Sequence, residues 1–140
     1  MFSVYGPNLR KQLFWDICSR LAQGERSLTL GGTGDEIRDW TDVRDVARFL
    51  TRIGEPPQQE TFRVINGGSG RGTSVADIAS MLIGNWGHGI AVRYSGVVRT
   101  GDPFSLLSEA TTLPHLPFEW RIPIEQGVAD YVSWFKDQIR

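Results

Sequence analysis

Short β-branched runs in this sequence are separated, each from the next, by segments of helical periodicity, and that alternation limits the possible folds sharply. The strand candidates are 27–30, 61–65 and 90–95. Around them lie four helical segments. In residues 9–22, Leu9, Leu13, Ile17 and Leu21 recur at i, i+4, and Gly24 ends the run. In 42–53, Val43, Val46, Ala47, Leu50 and Ile53 share a face, with Thr41 or Asp42 as N-cap and the GEPP tetrapeptide at 54–57 as terminator. A third helix begins after Ser74, whose hydroxyl is placed to cap the amide of Asp77, with Val75, Ile78, Ala79 and Leu82 on its inner face. The last spans 123–136 and aligns Ile124, Val128, Tyr131, Val132 and Phe135, with Pro123 in the first turn and Gly127 as a local weakness. The order predicts an α/β fold of about four helices with a few short strands. Three strands so widely spaced make a poor sheet, because a parallel strand wants neighbours on both sides. The expected architecture is therefore incomplete: a single partial domain over 1–140.

Composition narrows the function classes. Lys plus Arg number 15 against 16 for Asp plus Glu, a balance that gives no electrostatic reason to expect nucleic acid or an acidic membrane as partner. Cys18 is the only cysteine, which excludes an internal disulfide and a thiolate metal cluster. His88 and His115, the only histidines, have no partner at metal-ligand spacing, so no metal is expected. The apolar runs are far shorter than the roughly 20 residues of a membrane span. The start has neither the basic region nor the apolar core of a signal peptide, and a cytoplasmic location is expected.

Several blocks carry a family likeness. FSVYGP at 2–7 resembles the F-N-V-Y-G-P signature of the extended short-chain dehydrogenase/reductases, a family rich in nucleotide-sugar epimerases and dehydratases. GTGDEIRDW at 32–40 followed by DVRDV at 42–46 is similar to that family's G-x-G-x-x-x-R-D-[FYW]-x-x-V-x-D-V block. RTGDP at 99–103 looks like its R-P-G-D segment. The end, from LPFEW at 116–120 through Gly127 to Trp134 and Phe135, resembles its closing helix. The resemblance implies the C-terminal, substrate-binding part of such an enzyme, since in the family the Y-G-P segment follows the cofactor-binding half.

Two further patterns of the family have no counterpart in this sequence. A G-x-G-x-x-G dinucleotide fingerprint is missing: GGSGRG at 67–72 has the wrong spacing and reads as a strand-to-helix turn. The Y-x-x-x-K pair is missing too, because Tyr5, Tyr94 and Tyr131 are followed four places on by Leu9, Val98 and Phe135. No lysine is placed to tune a tyrosine for general acid/base work. No catalytic residue and no cofactor are thus expected in this chain, although full-length members use NAD or NADP.

The resemblance also assigns substrate-binding positions. Arg38 and Arg99 match arginines that converge on the diphosphate of a nucleotide sugar, where planar guanidinium groups give bidentate contacts. The competing reading pairs Arg38 with Asp39 or Asp42. Asp102 matches an aspartate near the nucleotide hydroxyls, and is equally a turn former before Pro103. Ser3 stands where the family has a substrate-contacting asparagine. Trp40 replaces Phe or Tyr and is expected at the pocket floor, as packing. Asp45 is expected to cap or salt-bridge within its helix, and Trp86, Trp120 and Trp134 to serve core or interface.

The function expected is a nucleotide-diphosphate-sugar binding surface of an epimerase/dehydratase-like protein, weak in affinity and inactive alone. The alternative is a non-catalytic interaction module of the same ancestry with no nucleotide ligand. Either way Val43, Val46, Leu50, Val64 and Ile65 would form an apolar face beside an open strand edge, which predicts a homodimer or higher oligomer.

Overall fold

A computed structural model describes residues 1–55, 64–87, 89–109 and 118–139 of the chain. Its elements are β1 (Ser3–Tyr5), α1 (Gln12–Ala22), β2 (Ser27–Leu30), β3 (Ile37–Asp42), α2 (Val43–Ile53), β4 (Gly72–Ser74), α3 (Val75–Trp86), β5 (Ala91–Tyr94), β6 (Ser105–Leu106) and α4 (Ile124–Gln138). The class is α/β, as expected, but the strands are distributed differently. β2 and β5 pair in parallel as a two-stranded sheet, Leu28 opposite Val92. A second sheet is built around β3, a strand that its sequence, Ile-Arg-Asp-Trp-Thr-Asp, does not advertise. The C-terminal half of β3 lies parallel to β1, with Ser3 opposite Trp40 and Tyr5 opposite Asp42. Its N-terminal half lies between antiparallel β4 and parallel β6.

The expected strand at 61–65 is not formed where it is described: Val64 and Ile65 lie in an irregular segment, and 61–63 are outside the described residues, as are His88 and His115. The first helix also starts later than its periodicity suggests. Gly6 and Asn8 take positive φ, the amide of Leu9 bonds the carbonyl of Gly6 at 3.1 Å, and the Tyr131 hydroxyl takes the Leu9 carbonyl at 2.7 Å. These bonds hold 6–9 as a turn, so the apolar repeat is helical only from Gln12.

The core joins α1, α3 and α4. Phe14, Ile17, Cys18 and Leu21 of α1 meet Ile78, Ala79 and Leu82 of α3 and Val128, Tyr131, Val132 and Phe135 of α4, with Leu28 and Leu30 beneath. Tyr5 stacks on Phe14 with ring centroids 4.7 Å apart, and Phe14 meets the edge of Tyr131 at 5.1 Å. Burial in this core pushes the Cys18 thiol up to about 12 and leaves it unreactive. α3 starts as the sequence indicates: Ser74 Oγ accepts from the Asp77 amide at 3.0 Å and donates to the Asp77 carboxylate at 2.7 Å. Gly127 proves to be a requirement rather than a weakness, because a Cβ there would overlap the Tyr5 hydroxyl and lie 2.9 Å from Asp42 Oδ2.

α2 presents a different face from the one its apolar residues suggest. Asp45, Val46 and Phe49 are buried, whereas Val43 is 39% and Leu50 51% exposed. The rotation follows from Asp45, whose carboxylate accepts the amides of Arg121 at 2.8 Å and Ile122 at 2.9 Å and pairs with Arg48. Phe49 stacks on Trp120 beside it, 5.5 Å between centroids. No helix among the described residues is long and apolar enough to cross a membrane.

Candidate functional site

A cleft of about 200 Å³ opens where three chain segments meet at the N-terminal end of β3. Gly31, Gly32 and Glu36 come from the β2–β3 loop, Arg38 from β3, Val75 from the first turn of α3, and Val97, Val98, Arg99 and Asp102 from the segment after β5. Arg38 and Arg99, 61 positions apart by subtraction of their numbers, thus line one cavity. Arg38 Nη1 donates to its neighbour's carbonyl, Ile37 O, at 2.8 Å and to Phe104 O at 3.3 Å. The pairing of Arg38 with Asp39 or Asp42 does not occur, because those carboxylates are held elsewhere. Among the described residues neither Arg38 nor Arg99 has an ion-pair partner. Asp102 closes a turn, its amide donating to Arg99 O at 3.1 Å, and it also lines the cleft.

Glu36 is the lining residue the sequence reading missed. Its Oε1 accepts the Thr33 amide at 2.8 Å and the Thr33 hydroxyl at 3.1 Å, and its Oε2 accepts the Gly34 amide at 2.9 Å. The Thr33 amide above all, with the Gly34 amide and Thr33 hydroxyl, holds this carboxyl below its ordinary value against the opposing effect of burial. The signal available was an acid three residues after Thr33 in a glycine-rich loop, which reads as a local loop brace. With Glu36 occupied by its own loop, the charges lining the cleft that have no ion-pair partner among the described residues are Arg38, Arg99 and Asp102.

Two expected site residues lie outside this cleft. Ser3 sits half-buried on β1 opposite Trp40 and is not part of the cleft wall. Trp40 donates its indole N–H to Thr73 O at 3.2 Å and leans on Phe14, 5.6 Å between centroids. Its expected place at the floor of the arginine cleft is therefore corrected: it packs, but borders a second cavity of about 200 Å³ with Thr41, Arg71 and Trp120. Trp40 stands two positions further along β3 than Arg38, and Ser3 pairs opposite Trp40, so both lie beyond the end of β3 that borders the cleft.

The glycine loop at 67–72 offers no dinucleotide site. The amides of Ser69 and Gly70 donate to Asp39 Oδ1 and Oδ2 at 3.0 and 2.8 Å, and the Ser69 hydroxyl to Oδ1 at 2.7 Å. Amides spent on a buried carboxylate cannot cradle a pyrophosphate. A Cβ on Gly68 would stand 2.5 Å from both Asp39 Oδ2 and Ser108 Cβ, so the glycine is there to let the loop close on Asp39. Among the described residues no group of His, Cys, Asp or Glu side chains is arranged to hold a metal ion.

Against known proteins, residues 1–68 match the NAD dependent epimerase/dehydratase family. Arg38 lies within that match; Arg99 and Asp102 lie beyond it. The chain is 26% identical to a dTDP-L-rhamnose 4-epimerase of Burkholderia thailandensis, over 98% of this chain and 39% of that protein. In structure it resembles MoeE5 in complex with UDP-glucuronic acid and NAD, with a TM-score of 0.85 and 27% identity over 98% of this chain and 46% of the other. It also resembles the UDP-glucuronic acid 4-epimerase of Bacillus cereus in complex with UDP-glucuronic acid and NAD, at 0.83 and 26%, over 98% and 44%. The chain thus shares the α/β fold of the corresponding part of these structures. The chain spans less than half the length of each of these relatives.

Proposed function

We propose that this chain corresponds to the part of an extended short-chain dehydrogenase/reductase that follows its cofactor-binding half, and that it supplies a binding surface for the diphosphate of a nucleotide sugar. The observation that carries the reading is the meeting of Arg38 and Arg99 in one cleft with neither guanidinium ion-paired among the described residues. Two unpaired guanidinium groups facing a cavity suit an anion with several oxygens. That relatives of similar fold were captured with UDP-glucuronic acid supports a nucleotide sugar as the ligand. Affinity is weak, because the few polar groups of this cleft form only part of an enclosing pocket. Calorimetry with UDP-, GDP- and dTDP-sugars at millimolar concentration tests the reading. Binding unchanged by Arg38→Ala and Arg99→Ala removes the clamp.

The chain alone performs no redox chemistry in this reading, since its sequence lacks Y-x-x-x-K and its glycine loop is closed on Asp39. Saturable quenching of tryptophan fluorescence by micromolar NADH, competed by NAD, would overturn this.

A second reading, an oligomeric interaction module, is favoured by the apolar surface on and after α2. Val43, Leu50 and Val64 are 39%, 51% and 79% exposed, and among the described residues β1 is paired only with β3. Val46, expected on this face, is buried instead, and Ile65 half-buried. A second copy of the chain covering this face gives a homodimer or larger assembly. Light scattering coupled to size exclusion decides it: a 15.7 kDa monomer at high concentration excludes the assembly.

A further inference from the structure

We propose that Asp39 is a positioning residue of the Arg38–Arg99 cleft, its buried carboxylate tethering the 104–108 segment to β3 through the Ser108 amide and so setting Arg99 opposite Arg38. The inference rests on the reading of that cleft as a phosphate-binding site.

Asp39 is completely buried, and its four donors come from two distant segments. Ser69 N, Ser69 Oγ and Gly70 N belong to the glycine loop, and Ser108 N, at 3.1 Å from Oδ2, to the segment after β6. No cation shares the site among the described residues. A buried carboxylate satisfied only by backbone and hydroxyl donors fixes the chain that supplies them, since each lost donor is costly in the interior.

The tether matters because few other hydrogen bonds hold 104–108 among the described residues. β6 is two residues long and pairs only Ser105 with Ile37 and Leu106 with Arg38. At its start, Ile37 N donates to Phe104 O at 2.8 Å, and the same oxygen accepts Arg38 Nη1 at 3.3 Å. At its end stands the Ser108–Asp39 bond. The segment is thus anchored at both ends, and Arg99 and Asp102 are carried in the turn that leads directly into it. A shift of 104–108 moves the carbonyl that orients Arg38 and the turn that presents Arg99 together. Gly68 completes the joint, because any side chain there would wedge Asp39 from Ser108.

Asp39→Asn keeps the shape and turns one acceptor into a donor that faces N–H groups. We would measure UDP binding by calorimetry for the wild type, Asp39→Asn, Arg99→Ala and the double variant, with amide hydrogen exchange on each. The expected result is about 10-fold weaker binding for Asp39→Asn, with a smaller further loss than that when it is added to Arg99→Ala. Exchange should quicken at Ser108 and through 99–106 while α1, α3 and α4 stay protected. Equal affinity of Asp39→Asn and wild type, or losses that simply add, would overturn the proposal. Where Asp39→Asn also unprotects the core helices, Ser108→Pro replaces it, deleting the one N–H of this segment that Asp39 accepts and leaving the glycine loop bonded. The same coupling with Arg99 is then required. A wild type that does not bind UDP would sink the phosphate-site reading alone. The exchange data then judge the tether: selective loosening of 99–108 upholds it, and unchanged exchange there refutes it.

Discussion

Two groups of charges meet around β3, and they are treated in opposite ways. Asp39, Asp42 and Asp45, spaced by three, are all buried and all saturated. Asp39 takes the glycine loop and Ser108. Asp42 caps α2 through the Arg44 amide at 2.9 Å and binds the Arg44 guanidinium, which reaches Asp130 on α4 at 2.8 Å. Asp45 takes Arg48 and the amides of 121 and 122. In the cleft next door, Arg38 donates only to backbone carbonyls, and Arg99 is exposed. The aspartates join segments of the fold; the arginines keep their charge available. Substitution should therefore damage stability on one side of this divide and ligand binding on the other.

The largest effect is expected from Asp45→Ala. It leaves two amides without their acceptor and a half-exposed Arg48 without its carboxylate, and a buried donor left unsatisfied costs about 1–3 kcal/mol. Urea unfolding should show a midpoint lowered accordingly. A loss below about 1 kcal/mol, the scale of a surface pair, would mean that Asp45 is not the joint described. Next in size is Gly127→Ala, which forces a methyl group against the Tyr5 hydroxyl. Alanine normally stabilises a helix interior relative to glycine by about 0.5–1 kcal/mol. Overpacking of about 1–3 kcal/mol should reverse that sign. A stabilised variant would show that α4 has room to move.

The contrast also explains what the sequence made legible. The α3 cap at Ser74, the α4 face and the strands at 27–30 and 91–94 follow from local rules of capping, periodicity and β-branching, and the structure has them. β3 escapes those rules because its hydrogen-bond partners β1, β4 and β6 lie far away in sequence, and three of its six residues are buried polar ones, of which Asp39 and Asp42 are held by specific partners. For the same reason α2 was read from its apolar residues, while a buried Asp45 sets its rotation. Arg38, Arg99 and Asp102 were reached through resemblance, and their shared cleft is a matter of tertiary geometry. Ser3 and Trp40 follow from the same resemblance, but their place further along the β1–β3 pair leaves them outside the cleft wall. Glu36 and Asp39 were missed as site elements because acids in loops and next to arginines have many commonplace uses.

Arg99→Ala brings the comparison to the other side. Its side chain is exposed, and surface substitutions away from caps and buried networks shift stability by no more than about 0.5 kcal/mol. Thermal unfolding should thus match the wild type while nucleoside-diphosphate binding is weakened. Arg38→Ala should behave similarly in binding, with a somewhat larger stability cost from the bond to Phe104 O. If either variant unfolds like Asp45→Ala, the cleft arginines are structural and the divide between the two groups fails.

The smallest effect, and the finest test of the divide, belongs to Glu36, which stands in the cleft but is satisfied like the buried aspartates. Its carboxyl is held below the ordinary value of 4.5 chiefly by the Thr33 amide. The native state therefore favours the ionised form. The resulting stability is fully present above pH 4.5 and is lost as pH falls through the lower native value. Glu36→Gln cannot titrate, so its stability should lie slightly below the wild type's at neutral pH, and the gap should close in acid. Chemical denaturation at a series of pH values from neutral to below that of an ordinary carboxyl follows the gap directly. A gap that is constant with pH would mean that the Thr33 and Gly34 bonds do not depend on the charge. A gap that widens in acid would reverse the sign of the linkage. Nucleoside-diphosphate binding adds the discriminating half: removing the negative charge of Glu36 should strengthen it slightly at neutral pH, because the carboxylate shares the cleft with the ligand's phosphates. Weaker binding would instead show that Glu36 acts by shaping the 31–36 loop, making it a joint of the same kind as Asp39, Asp42 and Asp45.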